Sequence, residues 1–420
     1  MNKKSIHSGY FIGPHRQCLS WVQLIAPFLI FSIACSSAWS GSLEQAKQIH
    51  DRIAGVPPTQ ATLVAMKDHI DAGNPRSAVE LAMSHDGFYN TTLKNWVAPW
   101  TNREQTVFVP LNDYIATVIG IVRDGEDFRK VLYDDVIYVG RDVTPAYANN
   151  NNAHYEALES GNYSLQNVLE RRSQSAVTGL VPATETAGVI TTRAAARAFF
   201  KAGTNRAQLR FTLMNHLCRD LEQVSDITRV PDRIRQDVSR SPGGDSRVFL
   251  NGCIGCHSGM DPLAQAFAYF DYAYDSENDL SGENGQLVYN NEGQVNDTDV
   301  LTGTRVVPKY HINSTTFKYG FVTPNDRWDN YWRQGINAQL GWDTDLDGFG
   351  NGAQSMGKEL AHSEAFAHCQ VEKVFQAVCF REPENGADRA QISTMIGNFK
   401  ADGYDIKTVF ADSAIYCMGD

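Results

Sequence analysis

Apolar residues recur at helical spacing along most of the chain. In SLEQAKQIHDRIAG, Leu43, Ala46, Ile49 and Ile53 fall on one face and Gly55 ends the run. Leu63, Met66 and Ile70 repeat the pattern up to Gly73, and Pro75 opens a further helix through Ser77–His85. LNDYIATVIGIV, over Leu111–Val122, is apolar nearly all round, which predicts a buried helix. Leu209, Leu213, Leu217 and Leu221 lie four apart in TNRAQLRFTLMNHLCRDLEQV, with Thr204 or Asn205 as the cap. Periodicity returns over Ser355–Glu372 and Ala390–Tyr404.

Between these runs the chain turns polar. Val143–Ala187 carries the tract Asn149–Asn152, and Tyr274–Gly303 is rich in Gly, Asn and Asp, as in a long surface loop or a small hairpin. GTRVVPKYHI and TTFKYGFV alternate briefly and suggest minor strands. The pattern therefore predicts a mostly all-α protein. A helical domain over 41–200 precedes a second one over 201–420, which carries minor β-hairpins and an inserted loop at about 275–350.

The N-terminus departs from this pattern. Lys3, Lys4 and Arg16 precede an apolar run at Trp21–Cys35, and small residues follow. This is the layout of a secretory signal over residues 1–40, with Ala38 and Ser40 placing cleavage after Ser40. The run is short for a membrane span; an anchor helix that stays attached is the alternative. Ile33-Ala34-Cys35 also resembles the end of a lipobox, which would end the leader at residue 34 and make Cys35 a lipid anchor. The expected location is the periplasm or the outer membrane of a Gram-negative bacterium.

Charge narrows the partners. The whole chain carries a net −11; without the three basic residues of the leader, 34 Lys and Arg face 48 Asp and Glu, close to −14. Such a surface repels phosphate backbones and argues against a nucleic-acid partner. Basic protein partners suit it better.

Export implies a compartment in which disulfides persist. Of eight cysteines, Cys18 and Cys35 belong to the leader and Cys253 and Cys256 to a CxxC, leaving Cys218, Cys369, Cys379 and Cys417 for two bridges. HCQVEKVFQAVC reads as one helix, so Cys369 and Cys379 stand about 15 Å apart. Bridged Cα atoms lie within about 7 Å, so these two pair elsewhere, one with Cys417 and the other with Cys218.

The densest chemistry is in NGCIGCHSGMDPL, residues 251–263. A redox dithiol would open a helix inside a βαβ unit, and no such unit surrounds this CxxC. Zinc would need a second ligand pair, and no other CxxC or HxxxH is present. Covalent haem fits every element: the thiols of Cys253 and Cys256 add to one porphyrin edge, and His257 projects at the iron from the same turn. Met260 follows on the proximal side and cannot cross the ring. Met356, in the Gly-rich GFGNGAQSMGKEL, is the favoured distal ligand; His311 or His362 would give bis-histidine ligation, and an open iron is the remaining case. Arg233, Arg235 and Arg240 are candidates for the haem propionates.

Just upstream of Met356, Asp343, Asp345, Asp347, Gly348 and Asn351 follow the order of an EF-hand-type loop, but Gln354 replaces the closing Glu. Calcium there would stiffen the segment that delivers Met356.

CIGCHSGMDPLAQAFAYFD resembles the haem motif of the planctomycete-type cytochrome c proteins, CxxCHxxMDPxGxAxxxFD. Cys253, Cys256, His257, Met260, Asp261, Pro262, Ala266, Phe270 and Asp271 match, and Ala264 replaces the common Gly. Downstream, LAHSEAFAHC and GYDIKTVFADSAIYC also resemble that group, so the likeness spans roughly 205–417. It implies one haem in an all-helical setting and electron transfer outside the cytoplasm. The expected function is thus an exported monohaem c-type cytochrome passing single electrons to redox protein partners. A haem enzyme with an open distal site, flanked by residues such as Tyr310 or His311, is the first rival. A binding or scaffold module that uses haem as a staple or sensor is the second.

Overall fold

A computed structural model of the chain describes residues 41–292 and 304–419. The leader, with its signal, cleavage and lipidation readings at Cys35, lies outside the described residues, as does 293–303 of the inserted loop. The described residues form 16 α-helices and three two-stranded antiparallel sheets, a mostly all-α protein as expected. None of these helices is long and apolar enough to cross a membrane.

The N-terminal helices fall where the periodicity puts them. Ser42–Ala54 buries Ala46, Ile49 and Ile53 and ends on Gly55, whose φ of 69° is the left-handed cap that glycine adopts without strain. Gln60–Asp71 is capped by the Thr59 hydroxyl, and Pro75–Met83 has proline in its first turn. Asp113–Asp124 is buried along almost its whole length, from Asp113 to Val122. Chain ends meet: Ile406–Tyr416 packs on Pro75–Met83 as well as on Glu364–Cys379 and Gly386–Ala401. Phe410 sits edge-on to both Phe88 and Trp96, and Arg76 pairs with Asp412. One main core therefore runs through residues on both sides of position 200, and the described residues belong to a single compact unit. The boundary expected there does not separate two cores.

Three further elements differ from the pattern. The helix with leucines four apart spans only Asn205–His216, because Cys218 turns into the left-handed region (φ 52°) on its way to a disulfide. Periodicity over 355–372 resolves into Gly352–Ala361 and Glu364–Cys379, separated at Ser363, whose side chain caps the second helix. GTRVVPKYHI and TTFKYGFV hold no strand among the described residues. The hairpins are instead Ile137–Gly140 with Leu169–Arg172, Phe270–Ala273 with Gln286–Tyr289, and Arg327–Asp329 with Phe349–Asn351.

Cys218 bridges Cys369 and Cys379 bridges Cys417, with Cα separations of 5.3 and 5.6 Å. Both cysteines of the Glu364–Cys379 helix thus reach outward to different partners, as its length demands.

Candidate functional site

Cys253, Cys256 and His257 share one stretch of helix. A π-helical turn, Phe249–Cys253, leads into the α-helix Ile254–Ala264, and such turns collect at functional positions. One face of the helix is pressed into the protein. A Cβ on Gly255 would meet Ser225 Oγ at 2.3 Å and one on Gly259 would meet the buried Trp332 ring nitrogen at 1.9 Å, so both must lack a side chain. Met260, Leu263 and Ala264 enter the main core; Met260 is a packing residue. Beside them Cys253 and Cys256 are half-buried, unpaired thiols. Cys256 Sγ donates to the Leu221 carbonyl at 3.4 Å, and burial raises its pKa.

His257 is 20 % exposed, and its orientation is fixed from within the helix. Nδ1 donates to Asp261 Oδ1 at 3.1 Å, one turn on, which leaves Nε2 as the nitrogen with a lone pair. Asp261 is itself fully enclosed. Arg206 grips it with two hydrogen bonds, of 2.6 and 2.7 Å, and the Arg235 backbone N–H adds a third at 3.2 Å. Burial would raise the Asp261 pKa, but the Arg206 charge and the bonds from His257 and Arg206 outweigh it and hold the carboxyl well below the usual range. Arg206 also pairs with Asp237 at 2.7 Å, and Arg235 with Asp237 at 3.1 Å and with Asn205 Oδ1 at 2.9 Å. Two arginines and two carboxylates thus balance in one closed network behind His257.

Apolar side chains stand in solvent around the motif. Val248 and Leu250 are about half exposed one turn before Cys253, and Ile227 and Val230 are more than 60 % exposed in the segment packed on Gly255. A cavity of about 290 Å³ opens between residues 229–232 and 330–334, the two segments that flank the helix. Unpaired thiols one turn apart, an imidazole with a fixed tautomer and an uncovered apolar surround fit a flat apolar ring attached at Cys253 and Cys256 and ligated by His257.

The expected outer ligands are engaged in other contacts. Met356 is the fifth residue of Gly352–Ala361, completely buried in the main core, rather than a loop-borne thioether. The neighbouring Gly357 lies so close to the Leu132 carbonyl, 1.8 Å from a would-be Cβ, that this helix is clamped in place. His311 is buried with Nε2 on the Thr323 carbonyl at 2.9 Å, and Tyr310 donates to the Phe270 carbonyl at 2.7 Å. His362 Nδ1 bonds the Lys358 carbonyl at 2.8 Å at its helix end.

The EF-hand-type loop is likewise not gathered. Asp343 accepts the Asp345 backbone N–H at 2.9 Å, and Asn351 donates to Asp326 at 2.9 Å. Arg333 lies against Gly348 and donates to the Asp343 carbonyl at 2.8 Å, so a guanidinium supplies the positive charge beside Asp343 and Asp347. Among the described residues no three His, Cys, Asp or Glu side chains come together as a metal would need, at the expected calcium residues Asp343, Asp345, Asp347 and Asn351 or elsewhere.

Of the propionate candidates, Arg233 pairs with Asp329 at 2.5 Å, Arg235 belongs to the buried network, and Arg240 is sandwiched between Phe249 and Phe317 at 4.8 and 4.5 Å. Asp261 stands in the sequence only as a matching position of the motif, with no role assigned to it. Its signal was the i, i+4 spacing from His257, which puts both on one helix face.

Comparison with protein-family models, curated proteins and solved structures finds no match for the chain.

Proposed function

We propose that the protein is an exported c-type cytochrome that holds one haem through thioether bonds at Cys253 and Cys256, with His257 as axial ligand, and passes single electrons. The observation that carries this reading is the fixed tautomer of His257: Asp261 takes Nδ1–H, and Nε2 is presented from the same turn as the two free thiols. The bound ring would supply reversible one-electron exchange at its iron. The residues of the chain have three tasks. Cys253 and Cys256 bind the ring edge. The Arg206–Asp261 pair holds the imidazole plane and keeps its proton on Nδ1, which strengthens Nε2 as a donor. Val248, Leu250, Ile227 and Val230 give the ring an apolar border that keeps water away. Acidic composition favours basic redox proteins as partners.

A second reading, an iron open to small ligands, is favoured by one observation: Met356 is locked in the core while His311 and His362 are bonded to backbone carbonyls. Oxidised holoprotein separates the two. A low-spin spectrum indifferent to cyanide supports the electron carrier; a high-spin spectrum with rapid cyanide binding supports the open iron and overturns the carrier.

A further inference from the structure

A second site lies away from the CxxCH turn, in a cavity of about 410 Å³ between the loop 101–112 and the helix Arg193–Phe199. Its walls collect Arg103, Arg193, Arg197 and Lys201 in a protein that is strongly acidic elsewhere. Two carboxylates also line it, Glu104 and Glu283, and Glu283 already pairs with Arg197.

Donors outnumber acceptors here. A guanidinium has five N–H groups. Arg103 gives one to the Ala198 carbonyl at 2.7 Å and one to the Phe199 carbonyl at 3.2 Å. Arg193 gives one to the Gly285 carbonyl at 2.8 Å and one to the Glu283 carbonyl. Those bonds fix both forks rigidly, and each fork keeps further N–H groups beyond them. Lys201 forms no ion pair among the described residues; its ammonium lies 5.6 Å from the Tyr274 ring centroid. Rigid arginine forks with donors to spare match the planar geometry of a carboxylate.

Two exposed apolar side chains stand next in sequence to lining residues. Phe108 is 91 % exposed beside the lining residue Val109, and Leu280 is 78 % exposed beside the lining residue Ser281. Val109, Pro110, Ala198 and Ala202 give the cavity an apolar stretch of lining, and two exposed apolar side chains stand on the segments that supply its walls, which points to a ligand with an apolar body.

We propose that this cavity binds a small organic carboxylate, its anionic head among Arg103, Arg193 and Lys201 and its apolar body against Phe108 and Leu280. The proposal is independent of haem attachment. It is tested by calorimetric titration of the exported protein with octanoate, octylammonium and sulfate. Octanoate is expected to bind with Kd below about 1 mM, and octylammonium not at all. Lys201→Glu should weaken octanoate about tenfold or more, and Phe108→Ser by a smaller factor, with melting curves unchanged because neither side chain is an ion-pair partner in the fold. Absence of octanoate binding, or binding untouched by both substitutions, would overturn the site. Sulfate binding as tightly as octanoate would overturn the apolar body.

Discussion

Two sets of cysteines in one chain meet opposite fates. Cys218, Cys369, Cys379 and Cys417 are joined in pairs around the Glu364–Cys379 helix, among side chains of the main core. Cys253 and Cys256 are unpaired on a helix whose outer face carries exposed apolar side chains. The difference is one of supporting structure. The first set closes chain segments 151 and 38 residues apart; the second belongs to one turn and closes nothing long. Next to Cys256, His257 is backed by a polar network, which a purely structural pair of thiols would not need.

The largest effect that separates the sets is expected from replacing both free thiols. Cys253→Ala with Cys256→Ala should abolish covalent haem while leaving both disulfides and the melting temperature of the apoprotein intact; loss of a disulfide in that variant would show that the sets are not independent. Removing the bridges should do the reverse. Cys218→Ala with Cys369→Ala is expected to destabilise by about 4–5 kcal/mol, and Cys379→Ala with Cys417→Ala by about 3–4 kcal/mol, since the longer loop gains more from closure. Chemical denaturation checks the order, and equal effects would contradict it.

Asp261→Asn probes the network behind His257. It leaves Arg206 enclosed with a weaker partner and should cost about 3 kcal/mol by the same measurement. It should also shift the reduction potential of holoprotein upward, because the imidazole loses its anionic acceptor. An unchanged potential would reduce Asp261 to a purely structural part.

Beside the first bridge, Lys373 gives a smaller, pH-dependent effect. Its amine lies 4.4 Å from the Trp100 ring and donates to the Asn215 carbonyl at 2.6 Å, and burial lowers its pKa to about 7. His216, bonded to the Tyr114 hydroxyl at 2.8 Å, is held below its ordinary value by burial and then by Lys373. Both folded pKa values lie below the unfolded ones, so the contribution of these groups is complete above the unfolded lysine value and falls as pH drops through about 7. Lys373→Met should flatten the stability profile between pH 9 and 6 and gain about 1–2 kcal/mol at the acid end. An unaltered slope would contradict the assignment.

Much of this contrast was legible in the sequence. Helix length alone separated Cys369 from Cys379, and both found the outside partners that spacing required. Periodicity placed Ser42–Ala54 and the buried Asp113–Asp124 because a continuous apolar face needs only local residues. What failed depended on distant contacts. Leu217 and Leu221 continue a helical pattern, yet a disulfide 151 residues away turns the chain at Cys218. Met356 reads as a loop residue until the helix Gly352–Ala361 is seen clamped on Leu132. Alternating aspartates read as a cation loop, yet the nearest guanidinium, Arg333, pairs with the distant Glu359 and reaches the loop only at the Asp343 carbonyl. Arg206 and Asp237, the outer half of the His257 network, stand too far from the motif for any local pattern to find them.

The central claim is that Cys253 and Cys256 carry haem. Its most direct test is expression of the exported chain in a host with c-type cytochrome maturation, followed by intact-mass and pyridine-haemochrome measurement. The account predicts a mass increased by one haem, resistant to acid–acetone extraction, with the absorption of a ring lacking both vinyl groups. A chain at its apoprotein mass, with two free thiols or a Cys253–Cys256 disulfide, would contradict it.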